Sequence, residues 1–323
     1  MARSKDYTFA VARIRAKELS LLSDSDISTL MSSKTYNECI NMLADKGWNT
    51  EDFSDYEDIL ENQEDTLWQL MSELADDLSE FNVFLYQKDY QNLKASIKAV
   101  ITNSDTEGLF FNSGSIPAEK IYEAVKNKDY SSLPEHLQKC AEAATTTLLQ
   151  TRDGQLCDII IDKYALTQIY NQGINSNSEI IKLYAETFVS VANIKTAVRC
   201  NKTGKSLDFI KQALAQCSSL NIDMLAKSAA MNIDEIYNYL MVTEYKGAVD
   251  ALKQSASAFE IWCDNMLTKS MQPQKWEPFT IGPLVAYILA KENEIKTVRI
   301  ILSAKLNNLD SQIIKERLRK MYV

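Results

Sequence analysis

Glycine and proline are scarce, with 8 and 5 residues in a chain of 323, against average usage of roughly 7% and 5%. Glycine supplies the positive φ angles of tight turns. Sheet-rich folds with many such turns need more of it, so the shortage points to long helices joined by short polar loops. Histidine is nearly missing too. With His136 as the single copy, a catalytic triad, a histidine-rich zinc site or histidine acid–base chemistry must all run through one residue. A basic excess is also lacking. Lys and Arg number 35 against 44 Asp and Glu, a net charge of −9. A nucleic-acid binder carries a basic footprint and an anionic membrane surface attracts Lys/Arg clusters. Neither nucleic acid nor direct membrane insertion is therefore expected.

Long apolar runs are absent. The longest spans Phe279 to Ala290 and is broken by Thr280, Gly282 and Pro283, whereas a spanning helix needs about 20 apolar residues. No CxxC pair occurs among Cys39, Cys140, Cys157, Cys200, Cys217 and Cys263. The start, Met1-Ala2-Arg3-Ser4-Lys5-Asp6, lacks the apolar stretch of a secretory signal. The expectation is reduced, buried thiols in a cytoplasmic protein.

What is present is helical patterning. Apolar residues at Ile180, Tyr184, Phe188, Val191, Ile194 and Val198 step by three or four and lay one stripe on a helix face. Similar spacing runs through Phe81, Phe84, Leu85, Leu93, Ile97 and Val100. Ser23 to Asp26 offer N-caps for a short helix, and Thr50 is read as the cap of an acidic helix over 51–79. Residues 103–116 read as a loop. Pro117 suits the start of a helix over 118–126. A long helix covers 281–304, another runs from Asp250 to Lys269, and a last one spans 309–322. No alternating period-2 segment is convincing, so the predicted fold is all-α.

One pattern recurs. Asn92-Leu93-Lys94-Ala95-Ser96-Ile97-Lys98 returns as Asn193-Ile194-Lys195-Thr196-Ala197-Val198-Arg199, and in degenerate form as Glu294-Ile295-Lys296-Thr297-Val298-Arg299. Each copy lies 101 positions after the last. Ala12-Arg13-Ile14-Arg15 is a weaker echo. Recurrence at a long period indicates repeated structural units. Three units are predicted, approximately 1–80 plus 305–323, 81–175 and 176–304, within a single all-helical subunit. The polar residues of the copies (Arg13, Arg15, Asn92, Lys94, Lys98, Asn193, Lys195, Arg199, Lys296 and Arg299) are candidates for contacts with a partner. The plainer reading is a solvated flank or internal ion pairs.

Three motifs carry the look of chemistry. Lys202-Thr203-Gly204-Lys205-Ser206 ends like a phosphate-binding loop, but Arg199 stands where the first Gly belongs, and a helix precedes it where a strand is required. Asp76, Asp77 and Glu80 suggest the Asp-rich metal motif of helical prenyl-transfer enzymes. Such a site needs a second acidic motif, and the nearest, Asp158 to Asp162, is interrupted by Ile159-Ile160-Ile161. His136 follows Pro134 in a helix's first turn, where a solvent-facing position is expected. No cofactor or metal is expected.

The repeat copies, the run Ile281-Gly282-Pro283-Leu284-Val285-Ala286-Tyr287-Ile288-Leu289-Ala290-Lys291-Glu292-Asn293-Glu294 and the opening Tyr7-Thr8-Phe9-Ala10-Val11-Ala12-Arg13-Ile14-Arg15 together resemble the C subunit of prokaryotic V/A-type (vacuolar/archaeal-type) ATPases and ATP synthases, the counterpart of the eukaryotic d subunit. The likeness covers essentially the whole chain. Val11 departs from a frequent Asn, Glu294 stands in place of Asn, and Arg299 comes one position early. The resemblance implies a funnel-shaped, pseudo-threefold helical protein without nucleotide or ion of its own. It would sit at the cytoplasmic face of a membrane rotor ring, receive the central stalk's foot, and couple the two for proton or sodium transport. Two alternatives remain open: a helical-repeat scaffold in another cytosolic complex, and a metal-dependent transferase using Asp76, Asp77 and Glu80.

Overall fold

The computed structural model describes residues 7–323 other than 54 and 76. In chain order its helices are α1 (Thr8–Glu18), α2 (Asp24–Ser32), α3 (Tyr36–Asp45), α4 (Tyr56–Leu74), α5 (Asn82–Thr102), α6 (Ala118–Asn127), α7 (Glu135–Thr151) and α8 (Gly154–Ile174). There follow α9 (Glu179–Lys202), α10 (Leu207–Ala213), α11 (Ile222–Met231), α12 (Ile233–Met241), α13 (Val249–Gln254), α14 (Ala256–Met271), α15 (Gly282–Leu306) and α16 (Ser311–Lys315). No strand occurs among the described residues. The chain divides into two compact units: one holds the residues through Leu78, Ser178–Ile180 and Asp250–Val323, the other Ser79–Asn177 and Ile181–Val249.

The first unit joins the two ends of the chain in one core. Leu22, Ile27, Leu30, Cys39 and Leu43 meet Ile59 and Leu60 of α4 and Val298, Ile301 and Leu302 of α15. Every residue from Ile281 to Lys291 is buried. A helix apolar on all sides belongs at the centre of its unit, and the longest apolar run of the sequence therefore forms a core helix. No helix among the described residues is long and apolar enough to cross a membrane.

In the second unit α5 packs on α6, α7 and α8, and α10 bridges α8 and α11. Gly173 of α8 faces Ala185 of α9 so closely that a Cβ built on it would collide with the Ala185 Cβ. Phe84 and Tyr184 stack across α5 and α9 with ring centroids 4.5 Å apart.

The loops solve the glycine shortage locally. Asn103, Lys128, Arg152 and Asn308 take left-handed φ angles of 51–56° at helix ends, where glycine is the usual residue. At the other ends, Ser23 forms a capping box with Asp26, and Thr35, Asp153, Ser206 and Asn221 each accept a main-chain N–H.

Three local expectations change. Asp55, not Thr50, caps α4, accepting from Glu57 N, and the helix starts accordingly later. Ser255 caps α14 by accepting from Ala258 N, which splits the helix expected over Asp250 to Lys269 in two. The helix expected over 309–322 shrinks to Ser311–Lys315. Beyond it other elements take the main chain: Asn293 Nδ2 donates to Lys320 O, Lys320 N donates to Asn265 Oδ1, and Met321 N donates to Asp24 Oδ1. Tertiary partners there replace the helical ones.

Gly173→Ala should destabilise the protein by about 1–3 kcal/mol, in the range of overpacking in a tight core. Denaturant titration followed by circular dichroism measures it. An unchanged midpoint would mean α8 and α9 do not approach as closely as described.

Candidate functional site

The repeated Asn residues do not reach the surface. Asn92 and Asn193 are fully buried, and each holds a loop that returns along its own helix. Asn92 Nδ2 donates to Phe111 O at 3.0 Å and its Oδ1 accepts from Phe111 N at 2.8 Å. Asn193 does the same with Ala215, at 2.8 and 2.9 Å. One turn earlier on each helix a second polar residue extends the grip. Asp89 accepts from Ser115 N, Ser115 Oγ and Ile116 N. Ser190 Oγ pairs with Ser219 Oγ at 2.6 Å, while Glu186 accepts from Ser218 N and Ser219 N. On α15 the equivalent positions are Lys291 and Glu294, which pair in the core. Glu294 accepts from Leu22 N at 2.5 Å. The recurring residues thus secure main-chain groups that would otherwise be buried unpaired, a loss of about 1–3 kcal/mol each. Both asparagines are engaged internally, so the sequence reading of them as partner contacts gives way to clamps.

Five of the basic candidates have partners within their own units. Lys94 Nζ reaches Asp162 at 2.5 Å and Lys98 Nζ reaches Asp158 at 2.8 Å. The supposed second acidic motif is thereby the counter-charge of the repeat. Arg13 pairs with Glu73 at 3.0 Å and Arg299 with Glu57 at 3.1 Å. Arg15 pairs with Glu18 at 2.8 Å and donates to Gln274 O and Glu277 O. Lys195, Arg199 and Lys296 belong to the same set, and Lys195 and Lys296 are exposed. Arg13, Arg15, Lys296 and Arg299 belong to the first unit, and Asn92, Lys94, Lys98, Asn193, Lys195 and Arg199 to the second.

The remaining motifs resolve into structure. Gly204, at φ 62°, ends α9. Gly204 N donates to Asn201 O and Lys205 N to Cys200 O, both at 3.0 Å, the hydrogen-bond pair of a Schellman cap. Ser206 then caps α10, and Lys205 Nζ donates to Gln155 Oε1 at 2.6 Å. The Gly-Lys-Ser is a helix stop followed by a helix start. His136 corrects the expectation of a solvent-facing residue. It is half-buried edge-on to Tyr86 at 5.1 Å, and burial holds its pKa below the ordinary value. Of the Asp-rich trio, Asp76 lies outside the described residues, and Glu80 accepts from Ser176 Oγ at 3.5 Å. No group of three or more His, Cys, Asp or Glu suited to a metal occurs among the described residues.

Sequence reading missed the exposed apolar side chains. Leu19 and Trp276 are 88% and 87% exposed and Phe279 is 63% exposed, where large hydrophobics are normally covered. Arg15 ties the helix that ends at Leu19 to the segment holding Trp276. It sits one turn before Leu19, and its guanidinium holds the carbonyls on either side of Trp276. In the second unit Met224 and Met231 project from α11, and Met241 and Val242 from the end of α12. The only prior signal was the polar, proline-bounded setting of Trp276.

These observations define an all-helical protein whose loops are clamped internally and which carries exposed apolar and basic side chains. The chain belongs to the ATP synthase (C/AC39) subunit family, whose sequence model matches residues 10–317. It is 22% identical over 317 residues to the C subunit of the V-type sodium ATPase of Enterococcus hirae, covering 96% of this chain and 97% of that one. It is 24% identical over 342 residues to the C subunit of the A-type ATP synthase of Methanocaldococcus jannaschii, covering 97% and 86%. With the corresponding A-type ATP synthase protein of Methanobrevibacter smithii it shares 25% over 339 residues, covering 93% and 84%. Members of this family are non-catalytic stalk subunits of V/A-type ATPases.

Asp89 gives the clamp a signature in pH. Burial outweighs the bonds from Ser115 and Ile116 and raises its carboxyl from 3.8 to about 6. The folded state therefore holds this proton more tightly than the unfolded chain. Its stabilising contribution is complete below pH 4 and disappears as pH rises through 6. The wild type should lose stability relative to Asp89→Asn between pH 4 and 7, measured by denaturant midpoints. A constant difference across that range would show that Asp89 titrates normally.

Proposed function

We propose that this chain is the non-catalytic adapter between the central stalk and the membrane rotor ring of a V/A-type rotary ATPase, transmitting rotation for proton or sodium transport. The family match across nearly the whole chain carries the reading. The adapter is peripheral at the cytoplasmic face of the membrane and reaches it through other subunits. Its three repeats, approximately 1–80 plus 305–323, 81–175 and 176–304, form a funnel. Glu294 of α15 accepts from Leu22 N, which ties the start of the chain to that helix.

Physical chemistry supports the role. A torque coupler must resist twisting, and close-packed helices have the low compressibility of organic crystals. Clamped loops add stiffness where loops are ordinarily the softest elements. Exposed ion pairs such as Arg13–Glu73 and Arg299–Glu57, with each side chain 39–47% exposed, contribute only about 0–1 kcal/mol. Their basic ends exchange readily for acidic groups of a stalk or ring subunit. The apolar group at Leu19, Trp276 and Phe279 supplies the contact area that charge alone does not.

The metal-dependent transferase has less support. Asp158 and Asp162 are engaged by Lys98 and Lys94, and the family is non-catalytic. No structural observation favours a scaffold of some other complex.

Vesicles carrying the complex without this chain should hydrolyse ATP through the detached head yet show ion uptake at background level. Uptake at the intact rate would overturn the adapter role. Trp276→Ser combined with Phe279→Ser should leave the melting temperature of the isolated chain unchanged while reducing its recovery with the assembled complex about tenfold or more, as for loss of an aromatic anchor. Equal recovery would remove this surface from the interface.

A further inference from the structure

The end of α15 encloses a pocket that the adapter role leaves unused. α15 stops at Leu306, and Asn308, in the left-handed region at φ 51°, turns the chain back. Leu309 N then donates to Ala304 O at 2.9 Å, and α16 follows. The turn brings Leu309, Ile314 and Arg317 over one face of α15, opposite Arg299, Ile300 and Ser303. Arg299 and Ser303 are one turn apart on that helix, so their side chains share a side. The space is a half-open pocket of about 170 Å³.

Its chemistry is polarised. Ile300, Leu309 and Ile314 form an apolar wall, and two guanidinium groups stand among the lining residues, with no carboxylate among them. Arg299 is shared with Glu57 through an exposed pair at 3.1 Å. The Arg317 side chain has no ion pair or hydrogen bond among the described residues. Glu316, its neighbour in sequence, accepts from Gln312 Nε2 at 3.2 Å. Two arginines facing one acid leave a positive charge uncompensated, and a guanidinium fork matches a carboxylate bidentately.

Volume limits the remainder of the ligand. An apolar cavity of about 150 Å³ accommodates benzene, whereas sites for drug-sized molecules run to roughly 300–1,000 Å³. The pocket takes one ring or one branched side chain and excludes a lipid acyl chain. We propose that it binds a carboxylate bearing a single apolar group of about benzene size, held by Arg317 and Arg299 over the Ile300–Leu309–Ile314 wall. That chemistry is common to a free aromatic or branched-chain acid and to an apolar C-terminal residue of a polypeptide.

The test uses the full chain and three probes: N-acetyl-L-phenylalanine, its carboxamide and 3-phenylpropionate. Amide-resolved NMR titration locates the response, and calorimetry measures it. N-acetyl-L-phenylalanine should bind with a dissociation constant of about 1 mM, the strength expected of a small ligand with few contacts. Shifts should centre on Ser303, Leu309 and Ile314. The carboxamide should bind about tenfold or more weakly, and Arg317→Gln should lose about as much, the scale of one charge-assisted hydrogen bond. Arg317 is exposed, so its replacement leaves the fold intact, which the melting temperature verifies. Comparable binding of 3-phenylpropionate supports the site with a free acid as its source. Preference for the acetylated amino acid supports it with a polypeptide terminus as the source. Equal binding of acid and carboxamide, an Arg317→Gln variant that binds like the wild type, or no shift with any probe at about 10 mM overturns the proposal.

Discussion

A loop that returns alongside its own helix carries main-chain N–H and C=O groups into a place with no strand or helix to receive them. Such groups must be paired, because burying one without a partner costs more than an ordinary hydrogen bond contributes. This protein meets the constraint with side chains projecting from the middle of its longest helices. Asn92, Asn193 and Glu294 recur at one interval, and each receives or grips the backbone of a returning segment. The rest of each unit follows. Once Phe111 or Ala215 is fixed, the helix after the loop must lie along the helix before it, and the apolar stripes of the two close into a core.

The third position shows how far that solution bends. Glu294 is a buried carboxylate where the other two helices have an amide. It is balanced by Lys291 on the same helix, whose ammonium lies 4.6 Å from the Trp48 ring centre. A buried charge is tolerated only when paired and hydrogen-bonded, and both conditions hold here. The segment it receives belongs to the start of the chain, so this clamp joins distant parts of the sequence. That explains how the first unit can be built from both ends of the chain around α15.

The proposed role of passing rotation between an axle and a ring calls for stiffness and contact surfaces, and for no reacting groups. The buried clamps and close helix packing supply the first. Apolar side chains held outward, with basic groups in weak surface pairs, supply the second. The features that resembled chemistry are taken up by the scaffold: Lys205 and Gly204 in a helix junction, Asp158 and Asp162 in pairs with the lysines of the repeat, and His136 in packing against Tyr86.

By itself the sequence determined the all-helical class, the principal helices, the recurrence at 101 residues and the family likeness. These depend on local spacing, on composition and on order along the chain, all of which are written in one dimension. It also placed the loop over 103–116 and the helix beginning after Pro117. Only the tertiary structure decided that Asn92 and Asn193 turn inward, that Lys94 and Lys98 neutralise the acidic run of α8, and that Leu19 and Trp276 remain uncovered. A polar residue on the flank of an apolar stripe reads the same whether it meets water or a buried carbonyl. What separates the two cases is a partner 19 or 22 positions away, brought there by a loop whose path no local pattern encodes. The last segment reads as helix in sequence and is helical only over Ser311–Lys315 in the fold for the same reason. Its backbone groups are claimed by Asp24, Asn265 and Asn293, contacts that exist only once the ends of the chain have come together.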